Sequence, residues 1–218
     1  MALLTGSILG EVTGKMGNKV FRRMNGKTFV SDRPLKYKPA KTTAARKVRS
    51  SFGMGTMLSI KLIADPRLKE VWAAARIEGT DSYRRIIKHN TKNINAGALT
   101  VRNKITPDGL FLGVESATLE NEVLHLSLNC PAEDNLIFPA KLYLLYYSAT
   151  AKTSLVLTQI TIPESAAGGL YELDLKPAKS IVKLLKEDPD SLLFLAMVSE
   201  TPVKKKAYWT STAVVNFS

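Results

Sequence analysis

From Glu122 to Asn129 the chain reads EVLHLSLN, and its apolar and polar positions alternate without a break. Successive side chains of a strand point to opposite sides, so Leu124, Leu126 and Leu128 fall on one face and Val123, His125, Ser127 and Asn129 on the other. Further apolar or alternating runs recur at residues 110–115, 140–148, 154–162, 170–175, 191–199 and 208–217. Turn formers separate them: Asn121, Pro131, Pro163, Gly168-Gly169, Pro189 and Pro202. Seven short strands without long helices between them predict an antiparallel β-sandwich of the immunoglobulin or fibronectin-III kind. Residues 177–186 have room for a turn or two of helix and leave that class unchanged.

Upstream the period lengthens. Thr42 or Thr43 can cap a helix running to about Ala64, with Val48, Phe52 and Leu62 on one face and small Gly55 and Ser59 between them. Arg46, Lys47 and Arg49 stay mostly off that face. Asp65-Pro66 then places an N-cap before a proline suited to the first helical position. The second helix has Leu68, Val71, Trp72 and Ala75 as its apolar stripe and ends at Gly79. Asp81 opens a short third helix with Tyr83, Ile86 and Ile87 inward. The expected fold is therefore α+β. A basic domain over residues 1–100 combines a small β-meander with helices, and a sandwich domain covers 108–218. The turn residues of NINAG and TPDG lie between them.

The meander begins with a stretch that imitates a nucleotide-binding loop. In VFRRMNGKTFV, Gly26-Lys27-Thr28 has the end of a P-loop, but that motif needs a glycine five residues before its Gly-Lys pair. Phe21 stands there, followed by two arginines and a methionine that form no glycine-rich nest. Asn25-Gly26 between strand-like flanks is instead a strong hairpin signal, because a type I′ turn needs two residues that accept positive φ. Gly14-Lys15-Met16-Gly17-Asn18 predicts another tight turn before it. The opening therefore reads strand, turn, strand, Asn-Gly, strand from about Ser7 to Asp32.

Composition adds a polarity to this picture. At 45% hydrophobic and 23% charged residues the chain has the makings of a folded core, and its net charge is +12. The excess of lysine and arginine falls wholly in the first half, whereas the second half is mildly acidic. Two halves of opposite sign predict different partners. Cys130, the single cysteine, has no internal partner for a disulfide, which suits a reducing compartment. The start MALLTGSILGEV lacks a positive n-region, and LIFPAKLYLLYY is broken by Pro139 and Lys141. The expectation is a protein of the producing cell's cytoplasm, or of a particle assembled there, with no membrane partner.

Catalytic and metal chemistry find little support. His89 and His125 fall in different expected domains, and Cys130 has no Cys or His at ligand spacing. There is no Gly-x-Ser-x-Gly elbow. Glu133-Asp134 and Glu187-Asp188 read as solvated loop charges, and Asp188 with Asp190 supplies too few ligands for calcium. The expectation is a protein that is no enzyme and carries no cofactor or metal. The strongest chemical feature is a basic segment: Arg22, Arg23, Lys27, Arg33, Lys36, Lys38, Lys41, Arg46, Lys47 and Arg49. Spread over a hairpin, a proline-flanked arm and a helix start, with Phe21, Phe29 and Tyr37 among them, these side chains suit a nucleic-acid backbone or an acidic protein partner. Residues 201–206, TPVKKK, make a smaller basic patch at the tip of the last hairpin.

Residues 10–21, GEVTGKMGNKVF, followed by Asn25-Gly26-Lys27 and Arg33-Pro34, resemble a family of uncharacterised proteins encoded in Bacteroidota genomes and in their phages and prophages. The likeness continues through Phe52, Val71-Trp72-Ala73-Ala74-Ala75, Gly79-Thr80-Asp81-Ser82-Tyr83 and Lys88-His89-Asn90, and so covers the first hundred residues. Usual members carry more Gln and Asn after the Arg-Pro, where residues 36–41 here are strongly basic. The resemblance implies a multicopy structural or virion-associated role. The expected partners are other assembly proteins and further copies of the chain, with a nucleic-acid-binding accessory protein as the alternative.

Overall fold

A computed structural model of the chain describes residues 2–4, 13–24, 26–33, 39–132, 136–150, 155–188, 190–200 and 208–217. It divides into two compact units, Met1–Lys41 and Thr42–Ser218. Helices and antiparallel sheets together make the α+β class expected from the sequence.

The first unit is a sheet of β1 (Ala2–Leu4), β2 (Gly14–Met16), β3 (Lys19–Met24) and β4 (Lys27–Asp32) in the order β1-β4-β3-β2. Gly17 at φ 55° turns β2 into β3, and Gly26 at φ 74° lies in the turn before β4. Asn25 itself falls outside the described residues, as does most of the expected first strand. The hairpin replaces the P-loop resemblance: Val20 to Met24 pair in order with Ser31 to Lys27. Lys19 meets Asp32 across the pair at 2.6 Å. A further strand, β1, joins β4 on its other side.

The second unit holds α1 (Thr43–Ile63), α2 (Pro66–Ala74), α3 (Ser82–Asn90) and α4 (Lys179–Glu187). Its strands are β5 (Gly113–Glu120), β6 (Val123–Asn129), β7 (Ala140–Tyr147), β8 (Leu155–Ile162), β9 (Leu170–Leu175), β10 (Leu192–Ser199) and β11 (Ala213–Asn216). They form two sheets, β11-β10-β7-β8 and β5-β6-β9. One core joins them, with Leu124, Leu126 and Leu128 of β6 packed among Leu144 of β7 and Leu193 and Leu195 of β10. Ile181, Leu184 and Leu185 of α4 belong to the same core. The strand expected over residues 110–115 instead runs over β5, because a bulge between Val114 and Ser116 breaks the alternation that a period of two would reveal.

A second core lies on the opposite face of the larger sheet. There Leu58, Leu62, Leu68, Trp72 and Ile86 of α1–α3 pack with Tyr143, Leu145 and Tyr147 of β7 and Phe194 and Ala196 of β10. Strands buried on both faces read as continuous apolar runs, which is why AKLYLLYY and LLFLAMVS lack the alternation of β6. The helices and the strands therefore share a core, and a domain boundary between residues 100 and 108 is not where the chain divides. The segment read as a linker is pinned from both sides. Asn103 Nδ2 donates to Asn90 O at 3.0 Å, while Ile105 N and Thr106 N donate to Thr212 Oγ1 at 2.9 and 3.0 Å.

Candidate functional site

The helix caps fall where the sequence placed them. Thr42 Oγ1 accepts from Ala45 N at 3.2 Å, Asp65 Oδ1 accepts from Arg67 N and Leu68 N, and Asp81 Oδ1 accepts from Arg84 N at 2.8 Å. The inward face of α1 does so in part: Gly55, Ser59 and Leu62 lie on it as expected, and Val48 and Phe52 do not. Ser51, Gly55, Leu58, Ser59 and Leu62 are buried, whereas Val48 and Phe52 are 68% and 54% exposed. Small residues let this helix approach its neighbours: an added Cβ on Gly55 would sit 2.7 Å from Thr91 Oγ1. α2 ends at Ala74, five residues before the glycine expected to stop it, and Tyr83 and Ile87 of α3 are only half-buried. Phe52, Tyr83 and Ile87 line an open hollow of about 500 Å³ with Thr80, Arg84 and Lys88.

The proposed basic site is distributed. In the first unit Arg22, Arg23, Lys27 and Arg33 are exposed. Register puts Arg22 opposite Phe29 and Met24 opposite Lys27, so Arg22, Lys27 and Phe29 share one sheet face and Arg23 takes the other with Phe21. Phe21 and Phe29 are half-buried and belong to neither core. Lys41 is exposed at the end of that unit. Arg46, Lys47 and Arg49 are exposed on the first turns of α1, in the other unit, and α1 contains no acidic residue. Lys36 and Lys38 lie outside the described residues, as do residues 201–206.

The sequence shows the second half to be mildly acidic but does not locate where its carboxylates gather. The leucine-bearing face of β6 turns to the core, so its other face, with those of β5 and β9, turns outward. Register places Glu120 beside Val123, His125 beside Asp174, and Ser127 beside Glu172. Glu120, Glu172 and Asp174 are exposed there, and β5, β6 and β9 contain no lysine or arginine. His125 Nδ1 lies 2.7 Å from Asp174 Oδ1, which gives this outward-facing histidine a carboxylate partner. The alternation of LYELDL would have given the facing of Asp174, but only the pairing of β9 with β6 brings it to His125.

The other histidine borders a hollow of about 360 Å³ with Arg76, Asp108 and Trp209. Burial, then the charges of Lys104 and Lys92, hold the His89 imidazole below its ordinary value. Its ring lies 5.8 Å from that of Trp72. The hydrogen bond from Lys104 lowers the Asp108 carboxyl. Asp188, read as a solvated loop charge, is instead 3% exposed. It accepts from Ser148 Oγ, Thr150 Oγ1 and the Ala149 and Asp190 backbone N–H groups. Cys130 is buried, and burial raises its thiol. Among the described residues no group of three or more His, Cys, Asp or Glu is placed to hold a metal, and no helix is long and apolar enough to cross a membrane.

Neither the family models nor the curated proteins compared with this chain give a match.

Proposed function

We propose that this chain is a non-enzymatic structural protein of a phage or phage-like assembly, a member of the Bacteroidota and phage family that its first hundred residues resemble. Its basic N-terminal sheet anchors to an acidic partner in that assembly, and its two-sheet module makes protein contacts. The observation that carries the reading is the separation of charge onto two exposed sheet surfaces, one cationic and one anionic. Such surfaces orient and select partners more than they stabilise a fold. We also infer that the two-sheet module is of the immunoglobulin or fibronectin-III kind. The separation of β5-β6-β9 from β7-β10-β11 supports it, with β8 added beside β7 as an edge strand.

The test is to induce particles from the strain that encodes the protein, purify them on a density gradient and quantify the chain by mass spectrometry. Recovery in fixed multicopy ratio to the major capsid protein is expected. A chain that is abundant in the cell and missing from purified particles overturns the reading. Exposed Arg22, Arg23, Lys27 and Arg46 favour the second reading, a nucleic-acid-binding accessory protein. That reading requires duplex or single-strand binding whose log affinity falls steeply with log salt and weakens when Arg22 and Arg23 are reversed to Glu.

A further inference from the structure

We propose that the outer face of the β5-β6-β9 sheet is the docking surface for the basic β2-β3-β4 sheet of a second copy. This rests on the structural role proposed above and names its partner and its two contact surfaces.

Both surfaces have the same construction with opposite charge. On the acidic face Glu120, Glu172 and Asp174 stand among Val123 and Leu170, the latter 61% exposed. Glu115, exposed at the bulge of β5, adds to the negative potential beside it. On the basic face Arg22 and Lys27 flank Phe29 and Val20, both half-buried and part of neither core. Among its described residues the first unit has a four-stranded sheet and no helix or second sheet, which leaves such side chains short of cover within it. Each surface is about three strands wide, on the order of 10–15 Å at the usual spacing between strands. Carboxylates therefore meet cations while the apolar side chains between them meet one another.

Charge also selects which surfaces meet. Basic sheet against basic sheet, or acidic face against acidic face, would set like charges across an interface at a cost of several kcal/mol. Each contact therefore joins unlike surfaces, reciprocally in a two-fold pair or successively in a ring or a filament. Asp174 is engaged by His125 in each copy, so Glu120 and Glu172 supply the carboxylates that meet the incoming cations.

The experiment uses two charge-reversed forms of the full chain, Glu120→Lys with Glu172→Lys and Arg22→Glu with Lys27→Glu. All proteins are freed of nucleic acid by nuclease and followed by sedimentation velocity across a concentration series. Wild-type protein should self-associate in low salt and dissociate as salt rises. Each variant alone should associate at least tenfold more weakly while keeping the wild-type melting transition. Mixed in equal amounts, the two should associate again, because the intact basic sheet of one meets the intact acidic face of the other and the two reversed surfaces are once more opposite in charge. A mixture that stays monomeric overturns the proposal, as does either variant assembling like wild type, or a wild-type protein that is monomeric at every concentration. Duplex DNA bound through Arg22 and Lys27 without self-association also overturns it. Particle recovery tests the structural role separately, since a chain can be present in particles and still fail to pair with itself.

Discussion

Asp188 lies just past the end of α4 with its carboxylate turned inward to a ring of donors from residues 148–150 and 190. Burial on its own would raise its proton affinity, but the hydrogen bonds from Ser148, Asp190 N and Thr150 outweigh that and hold it below the usual carboxylate range. A carboxyl whose folded value is depressed stabilises the protein above its unfolded value and loses that contribution as pH falls through the folded one. The relevant window therefore lies below about pH 4. Removing the carboxylate leaves the buried Ser148 hydroxyl and the part-buried donors of residues 149, 150 and 190 unmatched, so Asp188→Ala should cost about 1–3 kcal/mol at neutral pH. Urea unfolding reads this, and the variant should also lose part of the acid dependence; a cost below about 1 kcal/mol would place these donors in water rather than on Asp188. His89 acts in a different window. Its imidazole is held neutral by burial and by Lys104 and Lys92, so its unfolded form binds the proton more readily. Stability should decline as pH drops below the ordinary imidazole value of about 6.5. His89→Phe, which keeps an aromatic ring against Trp72, should flatten that decline in melting curves recorded between pH 7 and 5. An unchanged slope would assign the decline to another group.

At the scale of elements, α1 contains its own control. Gly53 and Gly55 both lie within the helix, where replacing glycine by alanine gains about 0.5–1 kcal/mol from backbone entropy. An added Cβ meets nothing within 4 Å at Gly53 but stands 2.7 Å from Thr91 Oγ1 at Gly55. Gly53→Ala should therefore raise the urea midpoint, and Gly55→Ala should leave it unchanged or lower it. Equal gains at the two sites would mean that the helix does not approach Thr91 this closely. The same contrast explains what could be read in advance. The caps at Thr42, Asp65 and Asp81, the Asn25-Gly26 hairpin and the alternation of β6 are local devices, and each lies where the residues indicate. On α1 the sequence placed Gly55, Ser59 and Leu62 inward correctly but added Val48 and Phe52, because hydrophobicity points to them while close approach selects Ser51 and Leu58 beside the glycine and serine. Charge at Arg22 and Lys27 was legible from composition alone. The acidic face was not, since it exists only once the register of β5 and β9 on β6 gathers Glu120, Glu172 and Asp174.

For the whole molecule the decisive feature is that β7 and β10 serve two cores at once. Tyr143, Tyr147 and Phe194 are fully buried under α1–α3, with Trp72 closing the layer and donating from Nε1 to Ile105 O at 2.8 Å. Tyr143 Oη adds a bond of 2.9 Å to Asp65 Oδ1, and burial followed by that carboxylate raises its phenol. A buried aromatic side chain of this size contributes about 2–3 kcal/mol. Stripping the helices would uncover a whole sheet face of them. A fragment spanning 108–218 should accordingly bind a hydrophobic dye and unfold over a broad range, if it stays in solution at all. A fragment spanning 42–218 keeps both cores and should melt in one sharp transition, with matching midpoints by near-ultraviolet circular dichroism and by tryptophan fluorescence. If 108–218 alone gave a cooperative transition with native near-ultraviolet signal, the helices would be an accessory layer rather than half of a shared core. The seam at residues 103–106 supplies the independent check. Thr212→Val leaves the Ile105 and Thr106 N–H groups without their acceptor and should lower the stability of 42–218 by about 1–3 kcal/mol. Helices and strands should still unfold together, because one continuous packing joins them.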